Sequence, residues 1–150
     1  MSEHAFAEIY LHFTWHTKDN APMLSPAIEA LAFDEIRRKC IATDGVIFQG
    51  IGGIETHGHL VVAIEPTVLI CKFIGQIKGA SSYVVNKTCG EYTLDWQPGY
   101  GVVSFNKKDL PWVLEYVMNQ KEHHSTGKII EKLEIITEPQ RHVLKHEAIR

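Results

Sequence analysis

The stretch ETHGHLVVAI, residues 55–64, places two histidines one residue apart at the entrance to an apolar run. The run predicts a buried strand, and alternate residues of a strand face the same side, roughly 6.5–7 Å apart along the chain. His57 and His59 can therefore close on one metal ion. Two histidines alone make an incomplete site because an ion needs more ligands, and the other interpretation is that the pair merely shares a polar sheet face.

Apolar patterns in the rest of the chain predict three more strands and four helices. The preceding stretch VIFQGIGGI predicts a strand that forms a hairpin with the first, because only Glu55 and Thr56 separate the two. Apolar residues at helical spacing, with capping residues such as Ser25 before Pro26, predict the helices. The predicted strands cover about residues 8–16, 46–54, 58–66 and 100–105, and the predicted helices about residues 26–42, 68–86, 109–124 and 128–136.

The order of these elements is β-α-β-β-α-β followed by a helix, which is typical of the ferredoxin-like split β-α-β arrangement. The predicted fold class is therefore α+β, an antiparallel sheet with helices on one face plus a C-terminal helix. The second sheet face is expected to be free for a ligand or another subunit. Neither a linker nor a repeat interrupts the sequence, so we expect one domain over residues 1–150, with a loose tail over 136–150.

Composition excludes several classes of protein. Apolar content of 45% and charged content of 22% are ordinary for a soluble globular chain. Neither a signal peptide nor an apolar run of the roughly 18 residues needed to span a membrane is present. Three widely spaced cysteines without a CxxC motif argue against a disulfide framework and favour a reducing cytoplasm. The phosphate-binding motif GxxxxGK[ST] is absent, so no nucleotide cofactor is expected.

A second group of candidate residues lies in the last long helix. Tyr116, Gln120 and His124 follow one another at intervals of four residues, so they share one face of that helix. Taken alone, Tyr116 is most simply a core tyrosine and Gln120 a surface amide. Tyr100 competes as a nucleophile, but its place between two glycines at the start of a strand indicates a structural role, which favours Tyr116.

Four longer blocks carry a family resemblance: LHFTWHTKDNAPML, FIGQIKGASS, WQPGYGVVSF and VLEYVMNQKEHH. With the histidine pair before an apolar strand, they resemble the single-tyrosine HUH transposases in order, spacing and total length. These are the small TnpA-type enzymes of the simplest bacterial and archaeal insertion sequences, the IS200-like family. The resemblance covers most of the chain, and the last two blocks are the most specific because they are long and match in register.

The resemblance implies a site and a reaction. In that family the two histidines and a glutamine one turn after the nucleophile bind a divalent ion, Mg²⁺ or Mn²⁺. Carried over, His57, His59 and Gln120 are the metal ligands, and Tyr116 attacks a phosphodiester of single-stranded DNA. The product is a 5′-phosphotyrosine link and a free 3′-hydroxyl, and a second transesterification rejoins strands without ATP. The family acts as a homodimer on hairpins beside the cleavage point, and the tyrosine helix can complete the partner's site.

The second predicted helix supplies candidate contacts to DNA. Residues 67–90 contain three lysines and no acidic residue before Glu91. Lys72, Lys78 and Lys87, together with Ser81, are therefore candidates for holding DNA phosphates. The alternative is that they simply form the solvated face of a helix.

Two features depart from the family pattern. Gly58 stands between the histidines, where the pattern has a bulky apolar residue, and the net charge of −3 is modest for an enzyme that grips DNA. They leave open a second interpretation, a catalytically decayed or domesticated protein that binds single-stranded or hairpin DNA. A third, a metal-binding ferredoxin-like domain acting on a small molecule, would require the matches around WQPGYG and EYVMNQ to be accidental.

Overall fold

The structure of the chain, a computed structural model, describes residues 5–136. Most of the loose tail expected over 136–150 therefore lies outside the described residues. The strands in this range are β1 (Ile9–His16), β2 (Val46–Ile54), β3 (His57–Ile64) and β4 (Gly101–Phe105). The helices are α1 (Pro26–Ala42), α2 (Ile70–Cys89), α3 (Leu110–Met118) and α4 (Gln120–Thr126), with short 3-10 turns at Lys18–Asn20, Lys107–Asp109 and Glu131–Leu133.

The four strands form one antiparallel sheet in the order β2-β3-β1-β4. This order follows from two β-α-β units that interleave, and it confirms the predicted α+β, ferredoxin-like class. The register places His57 opposite His16 of β1 and Ile54 of β2, and it places His59 opposite Thr14 and Gly52. The histidine strand is therefore paired on both sides, which fixes the direction of its side chains.

The main hydrophobic core lies between one face of the sheet and helices α1 and α2. Alternate residues of β1 and β3 point into it, because side chains of a strand alternate between its two faces. Its buried members from these elements include Leu11, Phe13, Trp15, Ile36, Leu60, Val62, Phe73 and Ile77.

The second sheet face, expected to be free, is instead covered by the C-terminal part of the same chain. Val113 and Val117 of α3 pack with Val61 of β3, and Leu133 joins this smaller core. The helix that carries Tyr116 therefore lies on the face that also carries His57 and His59. The expected ligand or partner surface is filled from within the chain.

The predicted helix over 109–124 is divided into α3 and α4 at Asn119, whose φ of −110° and ψ of 33° are not helical. The Asn119 side chain donates a hydrogen bond to the Glu115 carbonyl at 2.9 Å, a contact that competes with regular helix formation. The helix predicted over 128–136 is wrong apart from one 3-10 turn. Gly127 ends α4 in the left-handed region with φ of 73°, and Ile130 is extended. The apolar residues Ile130 and Leu133 of this segment therefore pack in the smaller core without forming a helix.

Two glycines let this C-terminal part lie directly on the sheet. A Cβ atom at Gly52 would stand 1.8 Å from the Val117 carbonyl oxygen, and one at Gly101 would stand 1.8 Å from the Ile135 carbonyl oxygen. No side chain fits at those distances. The close approach of backbone to sheet is what brings α3 over the histidine strand.

Gly58, the departure from the family pattern, sits in a different environment. A Cβ atom there would meet Trp15 at 3.5 Å and Phe33 at 3.6 Å, which are ordinary contact distances. These two aromatic rings occupy the core space beside the missing side chain, and β3 is paired on both sides at this point. The strand is therefore held in place without a bulky residue between the histidines.

Within residues 5–136 no helix has the length and apolar character to cross a membrane.

Gly52→Ala is expected to lower the free energy of unfolding by about 1–3 kcal/mol, because the new methyl group pushes α3 off the sheet. Gly58→Ala is the matched control and should leave that free energy unchanged or raise it by up to about 1 kcal/mol, since it fits and stiffens the unfolded chain. Urea denaturation followed by circular dichroism measures both. Equal stability of the two variants would contradict the close packing of α3.

Candidate metal and nucleophile site

Strand β3 presents His57 and His59 on the sheet face covered by α3. Both imidazoles are buried, and their ring centroids lie 5.0 Å apart. The shared direction follows from their spacing along a strand, as expected from the sequence. The pair therefore lies in a water-poor pocket under the C-terminal part of the chain.

Two residues from beyond α3 complete a cluster of four metal-type ligands. Donor atoms of His57, His59, His124 and Glu134 all lie within 4.8 Å of one another. Glu134 is central: its Oε2 lies 3.3 Å from His57 Nε2 and 3.4 Å from His59 Nε2, and its Oε1 lies 3.4 Å from His124 Nε2. The cluster therefore joins β3, α4 and the segment after α4.

The cluster fits a divalent cation. The Nε2 atoms of His57 and His59 are buried and make no hydrogen bond of acceptable geometry. Buried polar atoms without a partner are costly, and two that converge on one carboxylate are typical of ligands aimed at a common ion. Imidazole nitrogens and a carboxylate oxygen are ordinary donors for divalent metals.

Gln120 borders this cluster. It is buried, its Nε2 donates to the Tyr116 carbonyl at 3.0 Å, and its Oε1 lies 3.0 Å from His124 Nε2. Gln120 thus contacts the cluster at one of its four members, His124. Its role as the third metal ligand stays a prediction.

Tyr116 lies against the histidines of its own chain. Its ring meets His59 edge-on at 6.1 Å between centroids and stacks on His123 at 4.9 Å. Its hydroxyl donates to Glu134 Oε1 at 2.5 Å and accepts from the Ile130 backbone N–H at 3.1 Å. The phenol and the metal-type ligands are therefore joined through one carboxylate.

The electrostatics of this contact keep the phenol protonated. Burial, reinforced by the Glu134 carboxylate, raises the pKa of Tyr116 to about 12. Burial alone would raise the pKa of Glu134, but the neighbouring imidazoles of His57 and His59 outweigh it and hold that pKa well below its usual range. Glu134 is thus an anion that accepts the phenolic hydrogen bond.

Two histidines of β1 extend the cluster. His12 Nε2 lies 2.8 Å from His59 Nδ1, and the His16 ring stacks on His57 at 4.7 Å between centroids. Burial, helped by His59, lowers the pKa of His12 to about 3, and burial lowers the pKa of His59 as well. Both rings of the hydrogen-bonded pair are therefore neutral at neutral pH.

The candidate DNA contacts of α2 divide into two groups. Lys72 and Lys87 are exposed and stand roughly 22 Å apart along the helix. Lys78 instead donates to the carbonyls of Gln97 and Gly99 at 2.7 and 2.9 Å.

Ser81 is fully buried and is therefore not open to a DNA phosphate. Its hydroxyl donates to the Ile77 carbonyl and accepts from Trp96 Nε1 at 3.0 Å. Lys78 and Ser81 thus both fasten the loop before β4 to α2. Helix α2 as a whole packs on the sheet face opposite the histidines.

Tyr100, the competing nucleophile, also packs on the opposite side. Its ring lies 6.3 Å from that of Phe13 and belongs to the main core. The sheet separates it from the histidine pair. Of the two tyrosines considered, only Tyr116 contacts a histidine of the cluster.

Glu134 is the member of the metal-type cluster that the sequence did not reveal. It fell inside the segment predicted as the last helix, where only the apolar residues were given a role. Its signal in the sequence is slight, a single acid between Leu133 and Ile135. His124 had a stronger signal, since it follows Tyr116 and Gln120 at the same spacing.

Comparison with known proteins finds relatives of this fold and of this sequence. Two solved structures share the fold. A candidate transposase from Deinococcus radiodurans R1 matches with a TM-score of 0.65 and 19% identity, over 80% of this chain and 96% of that one. A REP-associated tyrosine transposase bound to a REP hairpin matches with a TM-score of 0.60 and 16% identity, over 83% of this chain and 74% of that one. No curated protein matches the sequence.

At the level of the family the match is direct, and it confirms the resemblance drawn from the sequence blocks. The sequence model described as "Transposase IS200 like" matches residues 5–120, which include the histidine pair, Tyr116 and Gln120. Because this range covers most of the chain, the protein belongs to the family of IS200-like transposases.

Proposed function

We propose that the chain is a metal-dependent tyrosine transposase that cuts and rejoins single-stranded DNA at hairpin-marked ends. One observation carries the proposal: Glu134 bridges the Tyr116 hydroxyl to the imidazoles of His57 and His59. The proposed nucleophile and residues that could hold a metal ion are thus neighbours in a chain of the transposase family.

A divalent ion would be held by His57 and His59, with Glu134, His124 or Gln120 completing its ligands. When bound, such an ion offsets the charge of the scissile phosphate and orients it. Mg²⁺ and Mn²⁺ are the candidates. Because Mg²⁺ prefers oxygen ligands, a donor set with up to three imidazoles favours Mn²⁺.

The reaction of Tyr116 is a transesterification. Its phenolic oxygen attacks the phosphorus, the bond from phosphorus to the 3′-oxygen breaks, and a 5′-phosphotyrosine and a 3′-hydroxyl result. Glu134 Oε1, the acceptor of the phenolic hydrogen bond, orients the hydroxyl for attack, and the proton that Tyr116 loses ends on the departing 3′-oxygen. A 3′-hydroxyl then attacks the phosphotyrosine and releases Tyr116, so the phosphodiester energy is conserved and no nucleotide cofactor is needed.

The proposed substrate is DNA with a hairpin beside the cleavage point. Support comes from the shared fold with a tyrosine transposase that was solved on a REP hairpin. Lys72 and Lys87 keep their candidate role in binding phosphates, because both residues are exposed. For Lys78 and Ser81, whose polar atoms are already engaged, the same role would need their contacts to the loop to open. A DNA substrate of this kind implies work in the cytoplasm.

The burial of Tyr116 favours a second candidate function. With 1% of its surface exposed, Tyr116 can meet a phosphodiester only after the segment around Ile130 and Glu134 moves. A chain in which this cover never opened would bind single-stranded or hairpin DNA without cutting it. Such a chain would be a decayed or domesticated member of the family.

Tyr116→Phe is expected to abolish a covalent DNA adduct, since it removes the phenolic hydroxyl that contacts Glu134 at the cluster. The protein is incubated with hairpin-bearing single-stranded DNA and Mn²⁺, denatured, and analysed by gel for DNA that stays attached. Tyr100→Phe, the matched control, should form the adduct at the wild-type level. Tight binding of the DNA by the wild-type chain with no adduct would support the binding protein instead.

Glu134→Gln is expected to weaken Mn²⁺ binding by about tenfold or more and to slow adduct formation, because it removes an anionic donor and the charged acceptor that orients the Tyr116 hydroxyl. Isothermal titration with Mn²⁺ and the adduct assay measure the two effects. Glu131→Gln changes an exposed carboxylate of the same turn and should change neither. If Glu134→Gln raised adduct formation, Glu134 would serve only to hold the covering segment over Tyr116 and would have no part in the reaction.

The family is expected to act as a homodimer. Mixing two inactive variants tests whether Tyr116 acts with the histidines of its own subunit or with those of the partner. Tyr116 contacts His59 within one chain, so we expect catalysis in cis. A mixture of Tyr116→Phe and His59→Ala should then remain inactive after subunit exchange. Recovery of adduct in the mixture would mean that α3 serves the partner's histidines, and light scattering on the wild-type chain establishes whether a dimer forms.

A further inference from the structure

His12 is a buried polar residue for which the proposed reaction has no use so far. It lies in the middle of β1, 1% of its surface is exposed, and it faces the same side of the sheet as the metal-type ligands. The strand register sets it diagonally across from His59, which stands opposite Thr14. Diagonal neighbours on adjacent strands are within reach of long or aromatic side chains.

The contact between the two rings is a hydrogen bond with an undecided direction. His12 Nε2 and His59 Nδ1 lie 2.8 Å apart, so a single proton stands between them. If His59 donates that proton, its Nε2 keeps a free lone pair. If His12 donates it, a neutral His59 must carry its own proton on Nε2 and cannot bind a metal there.

The position of His59 Nε2 decides between these directions once an ion is present. This atom is the one that converges with His57 Nε2 on Glu134, and it has no hydrogen-bond partner of good geometry. A metal-ligating histidine ordinarily donates its other ring N–H to an acceptor nearby, which fixes the ring's tautomer and orientation. Only His12 Nε2 lies within 3 Å of His59 Nδ1 among the side-chain hydrogen bonds of residues 5–136.

We propose that His12 is a positioning residue for the metal site: its Nε2 accepts the Nδ1–H of His59 and so reserves Nε2 of His59 for the ion. The inference rests on the metal binding contained in the proposed function but not on DNA cleavage. His12 acts through His59 and touches neither the ion nor the DNA.

Thr14 supplies a matched comparison on the same strand. It is buried on the same face, directly opposite His59, yet its hydroxyl has no hydrogen-bond partner. Replacing it with valine keeps the shape and removes no hydrogen bond to His59. Comparing variants at the two positions therefore distinguishes the effect of the His12 hydrogen bond on metal binding from the effect of packing between β1 and β3.

Ring-nitrogen NMR on the wild-type chain tests the direction of the bond. With ¹⁵N-labelled histidine and Mg²⁺, a diamagnetic ion, long-range ¹H–¹⁵N correlations report which ring nitrogens carry protons. We expect His59 to be protonated at Nδ1 and His12 to be unprotonated at Nε2. A proton on His12 Nε2 in the metal-loaded protein would overturn the proposal, and this measurement needs no variant that could fail to fold.

Mn²⁺ titration of variants tests the consequence. His12→Leu removes the acceptor and should weaken Mn²⁺ binding by about 10–100-fold, the range seen for outer-shell partners of metal ligands. His12→Gln retains an acceptor oxygen and should recover much of that loss, while Thr14→Val should bind as the wild type does. Circular dichroism melts confirm that each variant is folded.

The outcomes distinguish this inference from the proposed function. Equal Mn²⁺ affinity in folded His12→Leu and wild type, or no Mn²⁺ binding by the wild type, overturns the role of His12. A wild-type chain that binds Mn²⁺ through a His12-dependent site, yet never forms a DNA adduct, contradicts the proposed cleavage and leaves the role of His12 standing.

Discussion

The close approach of α3 to the sheet is the constraint on which the site depends. The Val117 carbonyl lies where any side chain at position 52 would be, so only glycine allows this helix to rest on β2. Because α3 is held there, Tyr116 stands over the strand that carries His57 and His59. A helix displaced by even the width of a methyl group would take the phenol away from the imidazoles. The packing of backbone against backbone thus sets the geometry of the chemistry.

Glu134 then links the two halves of that chemistry. One of its oxygens faces the imidazoles of His57 and His59 and the other accepts the phenolic hydrogen bond, so a single side chain connects the metal-type cluster to the Tyr116 hydroxyl. The same contact lies under a cover, because the segment that carries Glu134 also buries Tyr116. In the described arrangement Glu134 therefore contacts the metal-type histidines and also belongs to the segment that covers Tyr116.

The order of elements and the spacing of the histidines could be predicted because both depend on local patterns. The apolar run of β3 and the short connection between β2 and β3 need no distant partner to be recognised. Gly58 could not be judged this way. Its neighbours Trp15 and Phe33 come from a different strand and a helix, and their rings fill the space beside it. Glu134 was missed for the same reason, since the sequence places it 75 positions beyond His59.

The sequence by itself determined the α+β class, the family, and the histidine pair and tyrosine as the residues of interest. The fold class follows from periodicity, while the family and the residues of interest follow from sequence blocks that resemble those of the IS200-like transposases. Only the tertiary structure decided that the second sheet face is covered, that α2 lies across the sheet from the histidines, and that His12, His124 and Glu134 join the site. Those facts depend on how closely distant segments of the backbone can pack. A contact between residues far apart in the sequence produces no periodic pattern in the sequence around either residue.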